Sequence, residues 1–461
     1  MKLTVIGGAG VRAPRLIPSL VKRAARLGLS EVCLMDIDGE KLALVGGICQ
    51  TLAERQNAPF RLTLTTDARS AISGAAHIIT TLRPAFEMGR VLDERIALQM
   101  GVLGQETTGA GGFAMAMRSL PVILDYCRMA DELAPGAYIY NFTNPAGLVA
   151  QGLHDAGVRR VMGICDSANG AQHAASTHLG VPLARVRHEV FGLNHLSWTR
   201  SVRIDPEPDG SGGEEVLPAL LQDARFIAST HMALFHPAVL QAQGMFLNEY
   251  LHYFFHRDEA LAALLAKTES RGEQVLRLTT AMLTRLRELR GDPQASLDAY
   301  HQVMREREST YMAHAREGQA RPDLRPDDGA ESNLADEGYA GVALGCVEAI
   351  ATGQPHYTGL NVPNQGAIEG FREDDVVEIG CVVDANGVRP VPVGAVPEGP
   401  YLLMRTIKRY ERLAVQAILQ RSKSLAVEAL ATHPLIGSYP LAVRLVDAYV
   451  EAHRASAGEW H

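Results

Sequence analysis

The chain has 461 residues, 47% of them hydrophobic, and a formal net charge of −8, which allows a large core spread over two domains. The negative balance excludes a nucleic-acid backbone or an anionic membrane surface as the main partner, and no apolar run approaches the roughly 20 residues that span a bilayer. The 6 cysteines (Cys33, Cys49, Cys127, Cys165, Cys346 and Cys381) are dispersed among apolar neighbours and read as reduced core thiols. The N-terminal segment runs straight into a strand without a signal-peptide layout, so a cytoplasmic location is expected.

In chain order, Leu3 to Ile6, Glu31 to Met35, Arg61 to Thr65, His77 to Leu82, Ala137 to Phe142 and Arg160 to Ile164 read as strands. Amphipathic segments such as Leu16 to Leu27 and Leu120 to Leu133 lie between them. That alternation predicts an α/β fold whose first domain, residues 1–165, is a doubly wound parallel sheet with right-handed crossovers. After Phe191 the pattern changes. Asp205 to Gly213 reads as a polar turn and Val216 to Leu265 as mainly helical, with helices continuing to about Arg316. Gln319 to Gly338 carries Pro, Asp and Gly and reads as a long surface loop. Val376 to Val383 reads as a strand, and Val388 to Val393 as an edge strand, because Pro390 and Pro392 lack ladder donors. The remainder reads as helices, so residues 166–461 form the expected second domain.

The first strand ends in Ile6-Gly7-Gly8-Ala9-Gly10-Val11-Arg12-Ala13-Pro14. Glycines at the entrance to a helix let backbone N–H groups approach a pyrophosphate, where the helix dipole favours negative charge. Gly7, Gly8, Ala9, Gly10, Val11 and Arg12 are therefore candidate cofactor contacts. Asp36, at the end of the second strand, stands where a carboxylate accepts from a ribose diol, which favours NAD over NADP.

Cys165 and Asp166 follow the sixth strand, at the carboxyl end of the sheet, and His195 lies in Gly192-Leu193-Asn194-His195-Leu196. A thiolate, a carboxylate and an imidazole suit a borderline divalent metal. By spacing alone, two ligands about thirty residues apart form no compact metal motif, and each reads equally as a core residue. Asn144 ends the preceding strand on the same rim. Glu106 lies in a glycine-rich loop, Gly104 to Gly112, and Tyr250 in Asn248 to Tyr253 reads in isolation as a packed aromatic.

Taken in order, several segments make the chain similar to glycoside hydrolase family 4 over nearly its whole length. They are the glycine turn, Asp93 to Ile96, Gly104 to Gly112, Asn141 to Gly147, Gly163 to Asp166, Gly192 to His195, Asn248 to Tyr253 and Asn361 to Ala367. The resemblance is strongest to the 6-phospho-β-glucosidase group. It implies a Rossmann-like N-terminal domain, a C-terminal α+β domain like that of lactate and malate dehydrogenases, NAD with a divalent metal (typically Mn²⁺), and a homodimer or homotetramer. It also implies a reaction: oxidation of the sugar 3-hydroxyl, removal of the C2 proton, elimination of the aglycone, addition of water and re-reduction. In that scheme Cys165 and His195 hold the metal, Tyr250 is the base, Glu106 raises its basicity and Asp166 is the proton donor. Arg90, Asn144 and Asn194 bind the sugar, and the planar fork of Arg90 suits a phosphate.

Two positions depart from the family pattern. The turn reads Gly-Gly-Ala-Gly where Gly-Gly-Gly-Ser is usual, and Leu334 replaces the arginine that phosphosugar members carry before a tyrosine. Either Arg12 or Arg83 replaces the missing cation, or the substrate is an unphosphorylated glycoside. Asp166 points towards an α-linkage, the surrounding segments towards β. A 2-hydroxy-acid dehydrogenase on the same scaffold is the alternative activity.

Overall fold

The computed structural model describes residues 1–207, 212–310, 312, 315 and 338–461. Leu334 and the loop expected over Gln319 to Gly338 lie outside the described residues, except for Gly338 itself, which opens the helix Gly338–Thr352.

The strands are β1 (Lys2–Ile6), β2 (Glu31–Met35), β3 (Arg61–Thr65), β4 (His77–Thr80), β5 (Tyr138–Asn141), β6 (Val161–Gly163), β7 (Val186–Leu193), β8 (Leu196–Ile204), β9 (Glu214–Glu215), β10 (Phe246–Leu247), β11 (His356–Pro363), β12 (Val376–Asp384) and β13 (Gly387–Pro390). Nine of them form one sheet in the order β13-β12-β11-β6-β5-β4-β1-β2-β3. β1 to β6 are mutually parallel, with Leu3 opposite Val32 on one side and His77 on the other. Their near-continuous apolar runs follow from burial on both faces: Leu3, Val5 and Ile6 are at most 1% exposed. The expected doubly wound α/β sheet is present, and the order reverses beside β1, where such folds open a crevice for a ligand.

The sheet continues across residue 165. β11 runs antiparallel to β6 through Asn361 opposite Gly163, and β12 and β13 complete that edge. A second, antiparallel sheet is built on the β7–β8 hairpin, flanked by β9 and β10. The hairpin turn is tight. A Cβ on Gly192 would lie 2.3 Å from the Leu196 carbonyl oxygen, and His195 takes a left-handed φ of 61°, uncommon for a residue with a side chain. Val216 to Leu265 is broken into short pieces, with helices Leu217–Leu220 and Pro237–Gln243 each carrying a proline in the first turn. Helices Arg271–Glu288 and Pro293–Ser309 pack back on the nucleotide turn, where Tyr300 donates to the Val11 carbonyl at 2.9 Å and a small satellite core gathers Val11, Leu44, Ile48, Met282 and Met304. All the cysteines are buried and unpaired, and no helix among the described residues is long and apolar enough to cross a membrane.

Candidate active site

The glycine turn is shaped by its neighbours. Gly7 and Gly8 both donate to the Met35 carbonyl, at 2.9 and 2.7 Å. A Cβ on Gly7, whose φ is 90°, would lie 2.7 Å from the Thr81 carbonyl carbon, and one on Gly8 would lie 2.7 Å from Leu34 Cβ. Gly10 donates to Gly7, and Arg12 precedes the helix Ala13–Leu27, which has proline in its first turn. The Asp36 carboxylate accepts from Ala9 N at 3.1 Å and Asp38 N at 3.2 Å. The turn and its acidic residue are thus joined at the carboxyl ends of β1 and β2.

Around the same rim, Asn144 follows β5 and Cys165 follows β6. Thr143 exchanges hydrogen bonds with the Leu82 backbone, tying the segment after β5 to the one after β4. That second segment carries Arg83, which meets Glu106 at 2.5 Å. Arg90, on the helix Phe86–Gln99, bonds Glu94 at 2.7 Å and Glu106 at 2.9 Å, and Glu94 also accepts from Gly272 N. Burial alone would raise the Glu106 carboxyl, but Arg83, Arg90 and, more weakly, Arg307 hold it well below the usual carboxylate range. Burial likewise opposes charge on Arg90, yet Glu106, Glu94 and the neighbouring Tyr250 keep it a firm cation.

Arg307, on Pro293–Ser309, is the other side of this balance. Burial, together with the positive charges of Arg12, Arg90, Arg83 and Arg271, pushes its guanidinium down to about 9. Among the described residues it has no side-chain hydrogen bond or ion pair. Its segment, Arg305-Glu306-Arg307-Glu308, reads in sequence as a solvated helix face, so nothing there marked it.

Tyr250 and His195 are brought together: their rings stack with centroids 3.7 Å apart and planes 10° from parallel. His195 Nδ1 lies 3.0 Å from Thr107 Oγ1, while its Nε2 is buried with no hydrogen-bond partner. Burial pushes the imidazole down to about 3, against the charge of Glu106, so it is neutral at physiological pH. Burial, then the charges of Glu378 and Asp166, raise the Cys165 thiol well above its usual range. The thiolate therefore needs a cation beside it.

Glu378, on β12, links the two predicted metal ligands. It accepts from Ser197 Oγ at 2.6 Å, from Asn194 at 3.1 Å and from Asn361 at 3.2 Å, and its charge acts on Cys165. Asn194 also accepts from Gly147 N, beside Asn144. Ser197 accepts from Asn248, which in turn accepts from Tyr250 N at 3.0 Å. Burial pushes the Glu378 carboxyl up to about 7. Sequence reasoning passed over this residue, although a lone carboxylate in Val-Val-Glu-Ile-Gly-Cys-Val-Val was a usable signal.

Among the described residues no three His, Cys, Asp or Glu side chains gather as a ready-made metal cage. A two-ligand set still fits a metal: His195 Nε2 and Asn361 Oδ1 are both buried without partners, and Cys165 cannot ionise unaided. Asp166, beside Cys165, precedes the short turn Ser167–Asn169 without a side-chain capping bond, and Ser167 donates to Glu249 at 2.9 Å.

Comparison with known proteins shows the family and the fold. Residues 2–181 match the model for the family 4 glycosyl hydrolases, and residues 190–436 match that for the family 4 glycosyl hydrolase C-terminal domain. A probable 6-phospho-β-glucosidase of Bacillus subtilis is 30% identical, covering 99% of this chain and 97% of its own. The 6-phospho-β-glucosidase of Thermotoga maritima, solved with manganese, NAD⁺ and glucose-6-phosphate, superposes with a TM-score of 0.81 at 25% identity, covering 99% of each chain. Malate dehydrogenase from Plasmodium falciparum shares the fold alone, with a TM-score of 0.51 at 9% identity over 91% of this chain and 99% of its own. The chain belongs to the family 4 glycosyl hydrolases.

Proposed function

We propose that this glycoside hydrolase cleaves 6-phospho-β-glucosides with NAD and a divalent metal, Mn²⁺ by preference, Cys165 and His195 holding the metal. When bound, NAD⁺ supplies reversible oxidation of the sugar 3-hydroxyl and the metal supplies Lewis-acid polarisation at that oxygen. Tyr250 removes the proton from C2, with the Arg90 cation beside it favouring the phenolate. Glu106 acts on Tyr250 by fixing Arg90 in place. Asp166 gives a proton to the departing aglycone oxygen. Asn194 and Asn144 line the sugar side of the same rim, and the turn from Gly7 to Arg12, with Asp36, takes the dinucleotide.

The observation that carries the phosphorylated substrate is Arg307. Arg307, partly buried and without a side-chain partner among the described residues, lies in the positive field of Arg12, Arg83, Arg90 and Arg271, which calls for an anion, and a sugar phosphate provides one. This also moves the phosphate from Arg90, whose Nε and Nη1 are committed to carboxylates, to Arg307 and its neighbours. The cluster takes up the cationic role that Leu334 leaves vacant. The same reading has two or four copies assembling, which light scattering reads directly.

The test is a panel of nitrophenyl α- and β-glucosides, with and without 6-phosphate, assayed with and without NAD⁺ and Mn²⁺ in heavy water. Turnover of the 6-phospho-β substrate that needs both additions and places deuterium at C2 is the expected result. Full hydrolysis without either addition overturns the reading, as does net NADH accumulation with a 2-hydroxy acid.

A further inference from the structure

We propose that Gln105 and Thr107 are positioning residues for the metal centre, together fixing His195 in the tautomer whose Nε2 lone pair is free to bind the ion. This rests on the reading that Cys165 and His195 hold a divalent cation. The Gln105 side-chain oxygen accepts from Thr107 N at 2.6 Å and from Thr108 N at 2.7 Å. Two backbone donors at that atom identify it as the amide oxygen, since an NH₂ group has no lone pair to offer them. Thr107 Oγ1 lies 2.9 Å from the same oxygen. A carbonyl oxygen cannot donate, so the single hydroxyl proton of Thr107 points at Gln105.

His195 Nδ1 is 3.0 Å from that hydroxyl oxygen, which has only lone pairs left for it. Nδ1 must therefore carry the ring proton. Nε2, buried and without a partner, is left with its lone pair exposed to the site. This is the tautomer a metal-bound histidine needs, and a neighbour that accepts the other N–H is the usual means of imposing it.

The backbone is built to hold this loop close. A Cβ on Gly111 would lie 2.2 Å from the Gln105 carbonyl oxygen, and one on Gly112 would lie 2.7 Å from that of Thr107. Only glycine at both positions lets Gln105 and Thr107 rest on the first turn of the helix Gly109–Leu133. The Tyr250 ring, stacked on one face, fixes the imidazole plane, so the loop decides which nitrogen is free while the stack decides where it points.

Metal-free protein is titrated with Mn²⁺, the free ion being followed by electron paramagnetic resonance, and NAD⁺ affinity and melting temperature are measured alongside. Thr107→Val, which keeps the shape and removes the hydroxyl, is expected to weaken Mn²⁺ binding by roughly 10- to 100-fold while NAD⁺ affinity holds and the melting temperature falls only by the few degrees that one lost buried hydrogen bond is worth. Thr107→Ser is expected to restore wild-type binding. If Thr107→Val does not fold, the pair Gln105→Glu, which keeps the acceptor, and Gln105→Leu, which removes it, reads the same device: the first binds Mn²⁺ like wild type and the second weakly. Wild-type Mn²⁺ affinity in Thr107→Val, or in Gln105→Leu, overturns this inference alone. A wild-type protein that binds no Mn²⁺ overturns it together with the metal reading.

Discussion

The His195 imidazole lies flat against the Tyr250 phenol, ring centroids 3.7 Å apart, so the proposed metal ligand and the proposed base form one packed unit. Neither ring can turn without displacing the other. The unit is held from below by Glu378, which reaches the His195 turn through Asn194 and the Tyr250 backbone through Ser197 and Asn248.

Tyr250→Phe keeps that stack and removes only the hydroxyl. We expect kcat to fall by roughly 10²- to 10⁴-fold, the usual worth of a positioned base, with NAD⁺ and Mn²⁺ affinities unchanged. Solvent deuterium should no longer enter at C2. Exchange at the wild-type rate in the variant would remove Tyr250 from the role of base.

Arg307→Met should separate binding from stability. Losing a charge-assisted bond to phosphate is worth about 1.5–3 kcal/mol, so KM for the 6-phospho substrate should rise roughly 10- to 100-fold. The protein itself should melt no lower than wild type, because the substitution removes a partly buried cation that four other cations repel. An unchanged KM would place the phosphate elsewhere.

Glu106→Ala should have the opposite signature. It strips the carboxylate from Arg83 and Arg90, and breaking a buried ion pair from one side costs about 3–5 kcal/mol. Sulfate or phosphate ions should restore stability in this variant more than in wild type, which chemical denaturation with and without the salt measures. Equal salt responses would show that the cluster is not short of negative charge.

Glu378 yields a pH dependence whose sign is fixed. Its carboxyl is pushed up by burial from the ordinary 4.5 to about 7, so between those values the folded protein holds a proton that the unfolded chain has released. The contribution is fully present below pH 4.5 and is lost as pH rises towards 7, at about 1.4 kcal/mol per unit of separation. Metal-free wild type should therefore lose stability over this range more steeply than Glu378→Gln. Parallel stability curves for the two proteins would mean that the carboxyl ionises freely in the fold.

Much of this site was legible in the sequence because its parts are local. The six parallel strands announce themselves as apolar runs between turns, and the glycines of the first turn stand in one continuous stretch, although the contacts that require them, Thr81 against Gly7 and Leu34 against Gly8, come from neighbouring strands. Cys165, His195 and Tyr250 stood in quotable motifs, though their stacking and shared scaffold come from segments far apart in the chain. The β7–β8 hairpin was missed despite the alternation of buried Val186, His188 and Val190 with the partly exposed Arg187 and Glu189. Arg307 lay beyond reach. Its partial burial arises only when Pro293–Ser309 packs against the nucleotide turn, and no pattern within its own helix records that.

The antiparallel pairing of Asn361 with Gly163 bears on how the chain can be cut and how it assembles itself. β6 has β5 on one side, and among the described residues its other edge pairs with β11, a strand that leaves the ribosome long after the nucleotide-binding half is complete. Until then β6 presents unpaired N–H and C=O groups, an invitation to pair with another chain. A fragment ending near residue 165 would thus be a self-associating species rather than a free-standing dinucleotide-binding module. The late strand also closes the edge that leads straight into Cys165, so the nascent protein acquires a sealed sheet and the surroundings of that thiol in the same event.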